Sequence, residues 1–308
     1  MNVHVSPSTL PELDDFLSTF TIKFRRSEDE AALARYLTGL LTELPNKNCD
    51  TIATAVPGTS EQRLQEFLTN MQWDEDDLKR QRVEKMSAEA TVGNGALIFD
   101  DTGFAKQGKA SVGVARQYSG TLGKVGNCQV AVTCCYADAR ASWPVAVRLY
   151  LPQEWTEDPE RLQRAQVPDD VTFKTKPQIA LELLDQARAW GVPHHCVVTD
   201  TDYGDNANFL AGLETRHERY AVAVRCDFQV RVKARGAPLS QRAEQALAAV
   251  PRRQWRTIRW RHGTKGWLRK KFVALRAWRL TAEGEAHIGW LLGERAAPFR
   301  GRFLTKMI

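Results

Sequence analysis

The sequence predicts an α/β protein: a mixed sheet flanked by helices, with a helical segment before it and a basic β-rich region after it. Three observations carry this. Apolar residues recur at helical spacing through residues 1–92. From residue 96, apolar runs of strand length take over, first three in succession and then alternating with helices. From residue 229 the pattern is again strand-like, now dense in Arg, Lys and Trp. The expected domains are therefore 1–92, 93–228 and 229–308.

Each element follows in order. S-T-L-P-E-L-D-D-F-L-S-T-F puts Leu10, Leu13, Phe16, Leu17 and Phe20 on one stripe, and A-A-L-A-R-Y-L-T-G-L-L-T-E-L keeps the same period. Two short helices then flank the breaker P-G-T-S, with Thr59 or Ser60 as N-cap. A DNA-binding helix–turn–helix is one interpretation; a corner of a plain helical bundle is the commoner one. W-D-E-D-D-L-K-R-Q-R-V-E-K-M starts acidic and ends basic, as a helix dipole favours. Strands are expected at 96–100, 127–137 and 142–151, a helix at 176–190, a buried strand at 195–200, a helix at 206–217 and a strand at 219–228. Further strands are expected at 255–262, 268–280 and 287–293.

Bulk properties narrow the function. No run approaches the ~18 apolar residues of a membrane span, and the first residues lack the basic-then-apolar order of a signal peptide. The six cysteines include no C-x-x-C pair, which argues against zinc and for free thiols in a reducing, cytoplasmic setting. Cys134 and Cys135 are neighbours in one strand and should face opposite ways. The net charge of +6 hides a split: residues 229–308 hold 19 basic and 4 acidic residues, against 24 and 33 in residues 1–228. A polyanion partner fits that basic end, and so does a merely solvated surface.

Two strands end in acids: I-F-D-D-T-G at Asp100 and Asp101, and V-V-T-D-T-D-Y-G-D-N at Asp200, Asp202 and Asp205. In open α/β sheets functional groups gather beyond strand ends. Clustered carboxylates repel until a cation joins them, and hard oxygen ligands suit Mg²⁺ or Mn²⁺. The competing reading is local: such strings also form turns and helix caps, and Asp205-Asn206 precedes a helix. Thr102 stands where a haloacid-dehalogenase phosphatase needs its second acid, and G-T-L-G-K-V-G (120–126) fits no nucleotide fingerprint.

The run D-D-T-G-F-A-K-Q-G-K-A-S-V-G-V-A-R-Q-Y-S-G-T-L-G-K-V-G-N-C-Q-V-A-V (100–132) resembles the core of insertion-sequence transposases of the DDE class. The resemblance continues through 142–155, 173–183 and D-T-D-Y-G-D-N (200–206), back to 36–48 and forward to W-R-H-G-T-K-G-W-L-R (260–269). It implies an RNase H-like fold, related to retroviral integrases, and Mg²⁺-dependent cleavage and strand transfer on double-stranded DNA by a homo-oligomer. A bacterial, nucleoid-associated cytoplasmic location goes with it. Asp100 matches the first family acid, with Asp101 the runner-up, and Asp200 matches the second; all three become metal-ligand candidates. Lys106, Lys109, Arg116 and Lys124 lie in the matched core as phosphate contacts. Lys265, Arg269, Lys270 and Lys271 in the basic region are further DNA-binding candidates.

Two departures accompany the resemblance. Asp202 stands where the family has Gly, which would hinder a glycine turn. The third acid, a Glu on a later helix, has no match; Glu294 lacks its motif, and the closing residues read as a prematurely stopped tail. The resemblance therefore implies an impaired enzyme, or alternatively a DNA-binding remnant without catalysis.

Overall fold

The structure is a computed structural model that describes residues 11–24, 26–72, 74–90, 94–232, 239–264, 266–280, 286–295 and 303–307. The chain divides into two compact units, Met1–Lys85 and Met86–Ile308.

The first unit is helical. Helices α1 (Pro11–Ser18), α2 (Ser27–Leu41), α3 (Cys49–Ala55) and α4 (Glu61–Asn70) precede α5 (Glu75–Ala88). Ile52, Val56 and Leu64 form a buried cluster beneath Tyr36 and Leu40. Gly39 lets α2 approach α3, since a Cβ there would come within 2.3 Å of Ile52. Asn48 caps α3, and Ser60 caps α4 by accepting the Arg63 N–H at 3.1 Å. Of the two cap candidates, it is Ser60 that performs the task.

The second unit is built on one sheet. Its first strands are β1 (Ala96–Ala105), β2 (Ala115–Ser119), β3 (Lys124–Ala137) and β4 (Ser142–Tyr150). Short helices α6 (Gln153–Thr156) and α7 (Pro159–Arg164) lead to α8 (Lys176–Ala189). There follow β5 (Cys196–Thr199), α9 (Thr201–Gly204), α10 (Ala207–Thr215) and β6 (Tyr220–Val224). β3 runs antiparallel to β1 and β4, whereas β5 pairs parallel to β1 and to β6. The core order is thus β4-β3-β1-β5-β6, three antiparallel strands continued by parallel ones, with helices against it. This is an RNase H-like arrangement.

Strand β2 was not among the sequence expectations; it extends the same edge of β3 as a hairpin. The glycine-rich run 120–126 makes its turn, with Gly123 at a φ of +64°. Alternation along the strands separates the two faces. Leu97, Phe99, Val130, Val132 and Cys134 are buried, while Ile98, Thr133 and Cys135 on the opposite face are half-exposed. The buried side carries α8, whose Ile179, Leu183 and Leu184 are sequestered and whose Glu182 pairs with Arg148 of β4.

The same sheet runs on into the basic region. β7 (Gln229–Val232) and β8 (Leu239–Arg242) precede α11 (Ala243–Ala248), β9 (Arg256–Gly263), β10 (Gly266–Leu280), β11 (Ala286–Arg295) and β12 (Phe303–Met307). Residues 303–307, read from sequence as a tail, form a strand between β6 and β11. A buried ion pair also joins the two parts: Arg279 of β10 meets Glu214 of α10, which accepts a further bond from Tyr220 of β6 at 2.7 Å. Removing one partner of such a pair strands the other charge. Glu214→Ala should therefore lower the unfolding free energy by about 3–5 kcal/mol, measured by urea titration; a loss below 1 kcal/mol would show that water reaches Arg279.

Candidate active site

The site starts from strand registry. In the parallel pair of β1 and β5, Phe99 lies beside Thr199. The next residue in each segment is an aspartate, so Asp100, midway along β1, sits beside Asp200, which directly follows β5. The first strand does not end at Asp100 as expected, because its pairing with β3 carries it on to Ala105. Asp200 also caps α9, accepting the Asp202 N–H at 3.0 Å. The cap reading and the cluster reading are thus both true of one residue. Burial raises the Asp200 carboxyl above its ordinary range, and the negative charges of Asp202 and Asp100 push the same way. Asp100 itself is exposed; its carboxylate accepts the Asp101 N–H at 2.7 Å, and its carbonyl accepts the Thr133 hydroxyl at 2.9 Å.

Asp101 follows Asp100 on the strand and so faces the other way. Its two oxygens are held by the Lys176 ammonium and the Tyr203 hydroxyl, each at 2.5 Å. Lys176 opens α8 and Tyr203 lies in α9, so this one carboxylate ties β1 to both helices. Burial, and then Asp101 itself, raise the Tyr203 phenol far above its usual range, which keeps it a donor. Gly204 is required next: a Cβ there would stand 2.0 Å from the Ala223 carbonyl of β6. Asp205 accepts the Arg225 N–H at 3.0 Å, and Asn206 caps α10 through the Phe209 N–H at 2.9 Å. The D-T-D-Y-G-D-N string is therefore a chain of anchors around Asp200. Asp202 is exposed and helical, without a positive φ. The expected hindrance from replacing Gly at this position does not arise, because the backbone there suits any residue.

The sequence-predicted phosphate contacts are dispersed. Lys106 and Lys109 lie in the loop after β1, Arg116 on β2 and Lys124 at the start of β3, all exposed. Arg269, Lys270 and Lys271 are exposed on β10, and Lys270 pairs with Glu294. Lys265 lies outside the described residues. Glu294 is thus engaged within the basic region. Registry adds residues that the sequence reading did not name. Phe104 of β1, and Tyr118 and Val125 of the β2–β3 hairpin, are exposed on the Asp100 face beside Arg116. Counting alternation outward from Asp100 would have found them.

Among the described residues, no three of His, Cys, Asp and Glu converge as a metal-holding group. The donor set that does converge, Asp100 and Asp200 with Asp202 nearby, is all oxygen and all anionic. It fits a hard divalent cation. The nearest soft donor, Cys135, is held as a thiol by burial and by Asp100.

Sheet order thus defines an RNase H-like fold, with two aspartates side by side on the adjacent strands β1 and β5. Comparison with known proteins specifies it further: the family described as DDE superfamily endonuclease matches residues 15–267, and the chain belongs to that family. It is also 29% identical over 225 residues to the probable transposase for insertion sequence element IS701 of Microchaete diplosiphon. That alignment covers 73% of this chain and 56% of the relative. A structural likeness to the NurA nuclease from Sulfolobus solfataricus covers 76% of this chain and 75% of that one, at 9% identity and a TM-score of 0.28. At that score it carries no argument.

The raised Asp200 carboxyl makes a testable statement about stability. Its ionised form is disfavoured in the folded chain, so its contribution is fully present below the ordinary carboxyl pKa and is lost as pH rises through the raised one. Without divalent cation, Asp200→Asn should melt at or above wild type at neutral pH, and the difference should shrink as pH falls toward about 4. Added MgCl₂ should raise the wild-type Tm and leave the variant unchanged. Equal shifts in both proteins would remove Asp200 from the cation site.

Proposed function

We propose that this chain acts as a DDE-type transposase, in Mg²⁺- or Mn²⁺-dependent cleavage and strand transfer at insertion-sequence ends. The observation that carries this is the placement of Asp100 and Asp200 side by side where the parallel pairing of β1 with β5 ends. Family membership and the transposase relative support the same reading. The chain spans 56% of that relative's length, so the activity of a whole transposase is proposed here and not carried over.

In this reading Asp100 and Asp200 hold the cation. Asp101 is a positioning residue: its bonds to Lys176 and Tyr203 fix where β1 and α9 present the two ligands. When bound, the cation supplies activation of a water or 3′-hydroxyl nucleophile and stabilisation of charge at the scissile phosphate. Lys106, Lys109, Arg116 and Lys124 would neutralise DNA phosphates around the core, and Lys265, Arg269, Lys270 and Lys271 would do so along the basic region. The half-exposed sheet face on the Asp100 side favours assembly of several copies on double-stranded DNA. No helix among the described residues is long and apolar enough to cross a membrane; action on bacterial nucleoid DNA is part of the proposal.

A second reading is an impaired enzyme, or a DNA-binding derivative without cleavage; it is supported by the resemblance, in which the family's third acid finds no match in this sequence. Loss of one preorganised electrostatic group costs roughly 10²–10³ in rate. A nicking assay on terminal-repeat DNA of the cognate element separates the readings. Transposase action predicts Mg²⁺-dependent nicks that Asp100→Ala or Asp200→Ala reduces by at least about 10². Salt-dependent binding with no cleavage in either cation would select the second reading.

A further inference from the structure

The outer strands carry an aromatic face whose rings take no part in the phosphate contacts above. Trp290 of β11 lies opposite Arg276 of β10, and Ile288 lies opposite Trp278; directly opposed residues share a face. Alternation adds Phe272 and Ala274 of β10 and Leu292 of β11. Trp260 of β9 meets Phe272 edge to face at 5.8 Å, which brings it to the same side. Trp260, Trp290 and Ile288 are 46%, 47% and 59% exposed. The reverse side is closed around Val273, Ala277 and Leu291, which are buried, and a Cβ on Gly293 would come within 2.6 Å of Leu247 in α11; toward the start of β10 it opens, with Trp267 52% exposed.

The charges on the aromatic face are nearly all of one sign. Arg256, Arg261 and Arg276 are exposed there, and its carboxylate, Glu294, is paired with Lys270. Guanidinium groups interleaved with exposed indoles complement phosphates interleaved with base faces. A duplex hides its base faces within the stack, so unpaired strand is the form that can use them. Registry also connects this platform to the acids. Ile98 lies beside Val198, Val198 beside Ala221, Ala223 beside residue 306, and residue 306 beside Leu292. Asp100, two residues after Ile98, and Trp290, two before Leu292, therefore belong to one face of one sheet. They are four strand spacings apart, on the order of 20 Å.

We propose that the β9–β10–β11 face is a stacking platform for unpaired DNA strand, with Trp260 and Trp290 as base contacts and Arg256, Arg261 and Arg276 as phosphate contacts. The proposal deepens the nucleic-acid reading above and rests on it for the class of ligand, but not on catalysis. Its test is fluorescence anisotropy of the full chain with labelled oligothymidylate and with a duplex of equal length, at fixed salt. Wild type should bind the single strand with quenching of tryptophan emission. Trp260→Ala and Trp290→Ala should each weaken that binding roughly five- to hundred-fold and leave duplex binding unchanged. Trp290→Phe should restore most of it and, with Arg276→Glu as a loss-of-binding variant, carries the test if an alanine variant fails to fold. Unchanged oligothymidylate binding would overturn the proposal, as would equal losses for both DNA forms. Variants that dissociate a self-associated chain without altering oligothymidylate binding would assign the face to a second copy instead. Cleavage is read separately through the Asp100→Ala nicking assay, so failure of one reading does not mimic failure of the other.

Discussion

The Asp101 carboxylate is the constraint on which the site geometry depends. Adjacent residues on a strand face opposite ways, so a D-D pair within β1 must divide its labour. Asp100 is left exposed beside Asp200, while Asp101 turns inward and is neutralised by Lys176 with Tyr203 as second donor. A half-buried carboxylate would be costly alone; with a cation and a phenol on its two oxygens it becomes a tie between three elements. The tie holds the first turn after β5 against the end of β1. Gly204 permits the turn to lie on β6, and Asn206 starts α10 from it. The separation of Asp100 and Asp200 is therefore set by bonds made on the far side of the sheet.

The sheet is covered unevenly, and that organises the rest of the unit. α8 and α11 close one side, from the core through the basic region. The buried Arg279–Glu214 pair fastens the two regions together beneath that cover. Both candidate functional surfaces, the Asp100–Asp200 pair and the aromatic platform, lie on the other side. The half-exposure of Ile98, Thr133 and Cys135 follows from the same asymmetry. A basic region sharing a continuous sheet with the acids has its face oriented by strand registry and not by a linker.

Much of this was legible in the sequence where periodicity is strong. The β1, β3 and β4 runs, the α8 stripe and the alternation after residue 190 read directly as strands and helices. β2 was missed because A-R-Q-Y-S is short, lies between glycines and gains its place only by pairing with β3. The strand at 303–307 went unexpected for a related reason: it pairs with residues 222–224 of β6, far back in the chain, and no local pattern announces it. In the site, Asp100 and Asp200 were visible as residues, but the role of Asp101 was not. Its partners Lys176 and Tyr203 stand 75 and 102 residues away, and nothing in the local string names them. Alternation alone, applied to D-D, would have separated its roles.

The charge split along the chain gains a physical sense from this arrangement. Acids concentrated at Asp100, Asp200 and Asp202 would repel DNA phosphates; the Asp200 carboxyl, raised first by burial, is raised further by the charges of Asp202 and Asp100. A cation bound there would reverse the sign of the field locally, which is one reason such sites couple metal to polyanion. The remaining attraction has to come from elsewhere on the same face or at its edges. Lys106, Arg116 and Lys124 stand at the β1–β2–β3 edge, and Arg256, Arg261 and Arg276 at the other end of the sheet. A polyanion laid across the face would thus be held at both ends and would meet the acids between them. Under the proposed function, the cationic flanks of the sheet would compensate this repulsive centre until a divalent ion is bound.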